Sequence, residues 1–289
     1  MLELLEVLKA VLFGIVEGVT EWLPISSTGH MILLNQIMPL QQGEEFYSMF
    51  EVVIQLGAIM AVVVLFWSQI WPFGKKNNPA PLSDQGIGAW IKTDIFKLWF
   101  HILVSTVPAA VIGILFSEVF EKYFYNYQTV AVMLILFGVA FILVENHYKG
   151  KSARINTLAD IGYDTALLIG LFQLIAAIFP GTSRSGATIV GALLIGVSRM
   201  AAAEYTFFLA IPVMFGASLL KILKFGFSFT TSQLVILIVG MVVAFVISLL
   251  VIRFLMGYIK KHDFKVFGWY RSALGALVLI CGLAGFVHA

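Results

Sequence analysis

The stretch PGTSRSGAT, residues 180–188, places one arginine and four hydroxyl side chains between two apolar runs. The run TALLIGLFQLIAAIF precedes it and the run IVGALLIGV follows it. An arginine at the centre of a bilayer costs about 2.5–3.5 kcal/mol even on the mildest scale, so Arg184 needs a compensating partner. We therefore expect the fold to bring a partner from elsewhere in the chain to Arg184.

The composition predicts an all-α polytopic membrane protein. Of 289 residues, 60% are hydrophobic and 12% charged, and the mean hydropathy is +0.97. These values exclude an ordinary soluble domain and a disordered chain. The net charge of +2 and the lack of a basic stripe argue against a nucleic-acid partner. We expect a single integral-membrane domain over residues 1–289, in contact with membrane lipids.

Six apolar stretches are long enough to cross a bilayer as helices, which takes roughly 17–25 residues. They are 50–73, 96–117, 129–147, 203–226, 233–257 and 267–288. Two further stretches are interrupted: 8–38 by PISSTGH (24–30), and 163–198 by the quoted motif. Most of their arms, at roughly 8–16 residues, are too short to cross a ~30 Å hydrocarbon layer. Each is therefore either a kinked span or a re-entrant helical hairpin.

The loop cations favour two re-entrant hairpins. With both breaks re-entrant, ten cations lie on one side, against Lys9 and Lys122 on the other; with both as spans, the count is seven against five. The ten are Lys75, Lys76, Lys92, Lys149, Lys151, Arg154, Arg199, Lys260, Lys261 and Lys265. Because cytoplasmic loops carry the excess of Lys and Arg, this topology places both termini outside the cytoplasm.

An internal repeat supports the same topology. Shifted by 156 residues, GIVEGVTEWLP (14–24) aligns with GLFQLIAAIFP (170–180), and a Ser/Thr/Gly cluster follows each proline. Each half, about 8–147 and 163–288, then contains a broken hairpin and three spans. Because three spans is an odd number, the second half begins on the opposite side of the membrane from the first. The two halves are therefore inverted relative to each other. Inverted repeats with broken helices place a site near the midplane where the two breaks meet.

The first hairpin offers acids as partners for Arg184. Glu17 and Glu21 are four residues apart and share one helix face. Two adjacent carboxylates in an apolar segment need a proton, a divalent cation or an arginine between them. The sequence favours a Mg²⁺ or Ca²⁺ site, or an acid–base pair, because intramembrane acids are functional by default. A purely structural Glu–Arg pair is the alternative.

The residues after Pro24 suggest a nucleophile. Ser26, Ser27 and Thr28 are followed by His30, and a hydroxyl close to an imidazole is typical of a nucleophile and its base. We expect Ser27 to attack, with His30 or Glu21 taking its proton, and Ser26 and Thr28 to bind substrate. The competing interpretation is that the hydroxyls cap a helix and the histidine is structural.

The quoted motif predicts a phosphate site. Glycines allow backbone N–H groups to approach a ligand, a helix N-terminus favours an anion, and Arg184 supplies a bidentate fork. The predicted binding residues are Gly181, Thr182, Ser183, Ser185, Gly186 and Thr188. Glu51, Gln55 and Glu204 open the spans after the hairpins, either as supports for Arg184 or His30 or as ordinary helix-start residues.

Two motifs, EGVTEWLPISSTGH (17–30) and PGTSRSGAT (180–188), resemble those of the bacterial undecaprenyl-diphosphate phosphatase family, also called the bacitracin-resistance proteins. The resemblance extends to FEVVIQLGAIMAVV (50–63) and GVSRMAAAEYTFFLAIP (196–212). It implies a hydrolase of the bacterial inner membrane that converts undecaprenyl diphosphate into undecaprenyl phosphate and phosphate. Such an enzyme recycles the lipid carrier of cell-wall synthesis and removes the target of bacitracin. The family pattern falls on Glu17, Glu21, the 26–28 hydroxyls, His30 and Arg184.

A transporter is the rival class of function. Inverted repeats with midplane loops are typical of carriers, and an arginine with hydroxyls would also suit an anion or a lipid phosphate in transit. The nucleophile–histidine group favours chemistry. The oligomeric state is not determined by the sequence, and a homodimer is compatible with it.

Overall fold

The computed structural model describes residues 2–76 and 78–286, and within these ranges its regular elements are helices and three isolated β-bridges. The α-helices are α1 (Leu2–Thr20), α2 (Ser27–Ile37), α3 (Glu44–Val53), α4 (Gln55–Leu65), α5 (Trp67–Ile70), α6 (Thr93–Phe124), α7 (Tyr127–His147), α8 (Tyr163–Ile178), α9 (Arg184–Leu194), α10 (Arg199–Phe225), α11 (Thr231–Ile259) and α12 (Lys265–Leu283). The all-α prediction is confirmed.

Six helical segments in the described ranges are long and apolar enough to cross a membrane, as predicted. They are Glu44–Leu65, formed by α3 and α4 together, Thr93–Phe120 within α6, and the whole of α7, α10, α11 and α12. Each overlaps one predicted span. The last two residues of the predicted final span, 287 and 288, lie outside the described residues.

The first broken segment folds back on itself. Lys9 Nζ, in the first half of α1, donates to the carbonyl of Pro39, 2.6 Å away, beyond the end of α2. Gln41 N donates to Glu6 Oε2 at 2.8 Å. The two outer ends of this segment therefore lie side by side, and the break at 21–26 forms the tip of a helical hairpin.

The second broken segment has the same form at the opposite end of the molecule. Before α8, Arg154 N donates to Gly196 O, 2.8 Å away, just after α9. Arg199 then begins α10, whose 27 residues span about 40 Å. Near the far end of α10, Lys221 Nζ donates to Ser48 Oγ of α3 at 2.9 Å, beside the base of the first hairpin. The two hairpins thus start from opposite ends of α10, the geometry that re-entry from opposite faces requires.

Helix packing follows the same pattern in both halves. The hairpin helix α1 packs on α11, and its counterpart α8 packs on α6, the counterpart of α11. The contacts depend on equivalent glycines: a methyl group at Gly14 would lie 2.7 Å from Gly240 O, and one at Gly170 would lie 2.5 Å from Ser105 O. The last helices of the halves, α7 and α12, pack on each other. The hairpin helix of each half thus packs on the second span of the other half, as an inverted repeat predicts.

The hairpin tips share an unusual backbone conformation. Ser26 has φ 74° and Ser183 has φ 67°, and they are the only non-glycine residues with positive φ in the described ranges. Each caps the following helix, accepting from Gly29 N and from Gly186 N respectively. Left-handed backbone in a serine costs of order 1–3 kcal/mol, and such strain concentrates at functional sites.

Candidate active site

An ion pair joins the two hairpin tips. Arg184 is the first residue of α9, and its Nη2 lies 2.8 Å from Oε1 of Glu21, one residue beyond α1. Both side chains are largely buried, with 12% and 8% of their surfaces exposed. Arg184 Nη1 also donates to Thr206 O at 3.0 Å. Glu21 is therefore the partner that the buried arginine requires, and it is one of the two acids that the sequence offered.

The same carboxylate binds the predicted nucleophile. Ser27 Oγ donates to Glu21 Oε2 at 2.8 Å, while Oε1 accepts from Arg184. One carboxylate thus connects a hydroxyl of the first tip with the guanidinium of the second. The position of Ser27, first in α2 after a left-handed Ser26, turns its side chain back toward Glu21.

Glu17 lies one turn before Glu21 and is buried, with 1% of its surface exposed. Neither of its carboxylate oxygens has a hydrogen-bond partner among the described residues. Glu21 and Glu51 are close enough to interact with it electrostatically. A group of three or more His, Cys, Asp or Glu side chains arranged to hold a metal does not occur within 2–76 and 78–286. Two carboxylates, one of them with both oxygens unpartnered, nevertheless fit Mg²⁺, which is usually held by one or two carboxylates, water and substrate phosphate.

His30 is held by two hydrogen bonds that point away from Ser27. Nδ1 lies 2.8 Å from Ser26 O, and because a carbonyl only accepts, Nδ1 carries the proton. In the neutral imidazole, Nε2 then accepts from the Tyr270 hydroxyl, 2.7 Å away. The two rings stack at 5.6 Å between centroids. Of the two predicted proton acceptors for Ser27, only Glu21 is hydrogen-bonded to it.

Three of the four hydroxyls of the second tip form hydrogen bonds within the protein. Ser183 caps α9, and Ser185 Oγ donates to Glu21 O at 3.1 Å. Thr188 Oγ1 donates to Arg184 O at 3.0 Å and lies 2.9 Å from Thr206 Oγ1. Thr182 is fully buried, and its hydroxyl is unpartnered among the described residues. These contacts hold the tip in place. Phosphate binding stays a prediction for the six residues named from the sequence, which are Gly181, Thr182, Ser183, Ser185, Gly186 and Thr188.

A cavity of about 270 Å³ adjoins the tips. Its polar lining includes Glu17, Ser27, Thr28, Glu51 and Lys221. Its other side is formed by α6 and by the end of α8 up to Pro180. Because α6 is the least buried of the six spans, the cavity lies next to a helix that faces lipid. The three residues that open the spans after the hairpins lie in two different places. Glu51 and Gln55 border the cavity. Glu204 lies near the start of α10, away from the cavity, and interacts electrostatically with Lys260.

Three residues at the site were missed by the sequence reasoning. Tyr270 fixes His30, Lys221 places a cation in the cavity, and the neighbouring Arg271 bonds to both tips. Arg271 lies inside the predicted span 267–288, so the rule that identified Arg184 as an intramembrane arginine could have found it. Lys221 lies inside the predicted span 203–226, so the same rule could have found it. Tyr270 had no such signal, because its contact with His30 lies far away in the sequence.

Comparisons with known proteins identify the family of the chain. The sequence model of the BacA family, described as bacitracin resistance protein BacA, matches residues 10–277 of this chain. A protein of Desulfitobacterium hafniense named undecaprenyl-diphosphatase is 62% identical over 277 residues, covering 96% of both chains. Proteins of Clostridium acetobutylicum and Enterococcus faecalis, named undecaprenyl-diphosphatase 1 and undecaprenyl-diphosphatase, are each 58% identical over 279 residues, covering 96% of this chain and 98% of theirs. The chain is a multi-pass membrane protein and belongs to the BacA family.

Proposed function

We propose that this protein removes the terminal phosphate of undecaprenyl diphosphate, giving undecaprenyl phosphate and inorganic phosphate. The relatives named undecaprenyl-diphosphatase support the substrate. The observation that carries the proposal is the chain of contacts from Ser27 through Glu21 to Arg184 across the two hairpin tips. It unites a hydroxyl, a proton acceptor and a phosphate-binding fork at one point beside a cavity.

The charges around the cavity suit a diphosphate. Phosphoryl transfer depends mostly on positioning and on neutralising the phosphate oxygens. Arg184 supplies a fork at the tips, and Lys221 supplies a point charge at the cavity wall. The diphosphate would lie between these cations, and the polyprenyl chain would leave the cavity beside α6 toward lipid.

Glu21 is the proton acceptor in this mechanism. The Ser27 oxygen attacks the terminal phosphorus in line, its proton passes to Glu21 Oε2, and the bond from phosphorus to the bridging oxygen breaks. Undecaprenyl phosphate leaves with those electrons, and Glu21 passes its proton to the departing phosphate oxygen. Water then attacks the phosphoserine and gives one proton to the freed Glu21 carboxylate. The bond from phosphorus to Ser27 Oγ breaks, inorganic phosphate is released, and Glu21 returns the proton to Ser27 Oγ. Direct attack by water is the rival, and trapping a phosphoserine at Ser27 distinguishes the two.

Glu17 and Glu21 would hold a divalent cation, Mg²⁺ or Ca²⁺. The unpartnered oxygens of Glu17 support this assignment. When bound, the cation would neutralise charge on the phosphate oxygens. Glu17 would then orient the cation, while Glu21 remains hydrogen-bonded to Ser27.

The site would open to the outer face of the cytoplasmic membrane, with both termini outside. The cluster of Lys151, Arg199 and Lys260 around the base of the second hairpin supports a cytoplasmic location for that end. In a Cys281→Ala background, Glu45→Cys at the first hairpin's end should react with an impermeant thiol reagent added outside, and Ser152→Cys should not. The reverse pattern would overturn this orientation.

A purified-protein assay separates the hydrolase from a transporter. We expect phosphate release from undecaprenyl diphosphate in detergent, where no membrane gradient exists. Ser27→Ala should abolish release, and Ser152→Ala, in an exposed loop, should leave it unchanged. No release by the wild type would favour a carrier, and full activity of Ser27→Ala would eliminate the serine as nucleophile. A homodimer stays a prediction, to be checked by the mass of the protein in detergent.

A further inference from the structure

Arg271 in α12 binds the tips of both hairpins. It is fully buried, with 0% of its surface exposed. Its Nη1 donates to Pro24 O of the first tip at 3.1 Å. Its Nη2 donates to Gly181 O at 3.0 Å and to Thr182 O at 2.6 Å, both in the second tip. One planar guanidinium therefore spans the point where the two halves of the chain meet.

The charge of Arg271 has no acidic partner among the described residues, where its hydrogen-bond acceptors are three backbone carbonyls. The ring of Phe137 lies 5.8 Å from its Cζ and adds a cation–π contact. Burying an ionised group without an opposite charge is costly. A fork with several donors in a fixed plane can bind carbonyls from two segments at once, which the point charge of a lysine cannot do.

The three carbonyls belong to residues next to the reacting groups. Pro24 lies midway between Glu21 and Ser27, and Thr182 lies two residues before Arg184. The guanidinium also packs against the start of α9, since a methyl group at Gly186 would lie 2.5 Å from Nη1. A shift of one tip against the other would therefore change the separation of Arg184 from Glu21 and Ser27.

We propose that Arg271 is a positioning residue that sets the two hairpin tips against each other, so that Arg184 of one meets Glu21 and Ser27 of the other. The side chain of Arg271 is fully buried and its hydrogen bonds go to backbone carbonyls of the tips, so it acts through the tips and not on the substrate. This inference rests on the proposed hydrolysis of undecaprenyl diphosphate. It adds a residue that neither hairpin motif contains.

The experiment compares Arg271→Met and Arg271→Lys with the control Arg253→Met, whose arginine is exposed on α11. Phosphate release from undecaprenyl diphosphate is measured in detergent on monodisperse protein. We expect Arg271→Met to lower kcat by about 100-fold, the size of loss that a 1 Å misplacement of reacting groups can cause. KM should change by less than about threefold, because the cavity wall is intact. Arg271→Lys should recover part of kcat, and Arg253→Met should match the wild type.

A second readout separates positioning from general loss of folded protein. Arg184→Lys is introduced into the wild type, into Arg253→Met and into Arg271→Met. Its fold-loss should be the same in the first two, and much smaller in Arg271→Met, because Arg184 is already displaced there. A fold-loss unchanged in all three backgrounds would overturn the proposal, as would wild-type kcat in either Arg271 variant. Failure of both Arg271 variants to fold would also contradict it, since the proposal requires the hairpins to form without this residue. Inactivity of the wild type and of Arg253→Met would instead refute the proposed function.

Discussion

Arg184 Nη2 and Glu21 Oε1 lie 2.8 Å apart although 163 residues separate them in the chain. Each residue belongs to the tip of one broken helical segment, and the two segments start from opposite ends of α10. The ion pair offsets the cost of placing an arginine at membrane depth. It also brings the guanidinium proposed to bind phosphate to the carboxylate that accepts from Ser27.

Arg184→Lys should lower kcat/KM by about 100-fold, because an ammonium cannot replace the planar fork that holds Glu21 Oε1 and Thr206 O together. Phosphate release in detergent measures the effect. Arg253→Lys on the exposed side of α11 is the matched control and should retain full activity. Near-normal turnover by Arg184→Lys would contradict a bidentate role for this side chain.

Tyr270→Phe should reduce kcat by no more than about tenfold, since it removes one hydrogen bond to His30 Nε2 and retains the stacked ring. The expected small effect follows from the arrangement of His30, whose hydrogen bonds point to Ser26 O and Tyr270 and not to Ser27. Tyr163→Phe, beside His101, is the control. A loss of 100-fold or more would mean that the His30–Tyr270 pair takes part in proton transfer.

Gly181→Ala should destabilise the protein by about 1–3 kcal/mol more than Gly43→Ala, because its methyl group would lie 2.6 Å from Val130 O. Both glycines have positive φ, 87° and 91°, so the backbone strain is similar, and Gly43 has open space around it. Unfolding in detergent with rising denaturant measures the difference. Equal stability of the two variants would show that the second tip does not pack tightly on α7.

Removal of divalent cations should stop hydrolysis, and Mg²⁺ should raise the unfolding midpoint of the wild type. At a concentration of 100 Kd, one bound ion stabilises the folded state by about 2.7 kcal/mol. Glu17→Gln should abolish this stabilisation, whereas Glu45→Gln, exposed at the start of α3, should retain it. Activity that is insensitive to EDTA, with no Mg²⁺-dependent stabilisation, would assign the acids to proton transfer and to pairing with Arg184.

The sequence predicted the architecture because its main signals are local. Apolar length identified six spans, and Pro24 and Pro180, each followed by a hydroxyl cluster, marked the two tips. The meeting of Arg184 with Glu21 was predictable because an intramembrane arginine needs an acid and the first break offers one. Contact between the two tips also follows from the inverted repeat, which the 156-residue shift predicted.

The finer arrangement depends on tertiary contacts that no local pattern reports. Nothing in the spacing of residues 26–30 shows that His30 turns toward Tyr270, a residue 240 positions away. Lys221 lies in the predicted span 203–226, but only the fold shows that it borders the cavity. The hydroxyls of residues 182–188 predicted a phosphate site. In the fold, several of their hydrogen bonds cap α9 or join it to Glu21 and Thr206.

The most direct measurement is a double-mutant cycle between Glu21 and Arg184 on undecaprenyl diphosphate hydrolysis in detergent. Glu21→Gln and Arg184→Lys should each lower kcat/KM, with Glu21→Gln costing about 10²–10⁴-fold as the loss of a general base. Because the two side chains act as one unit on Ser27 and the phosphate, the double variant should be hardly worse than the more impaired single variant. Losses that multiply independently, or a Glu21→Gln protein with wild-type kcat/KM, would contradict a shared site at the two hairpin tips.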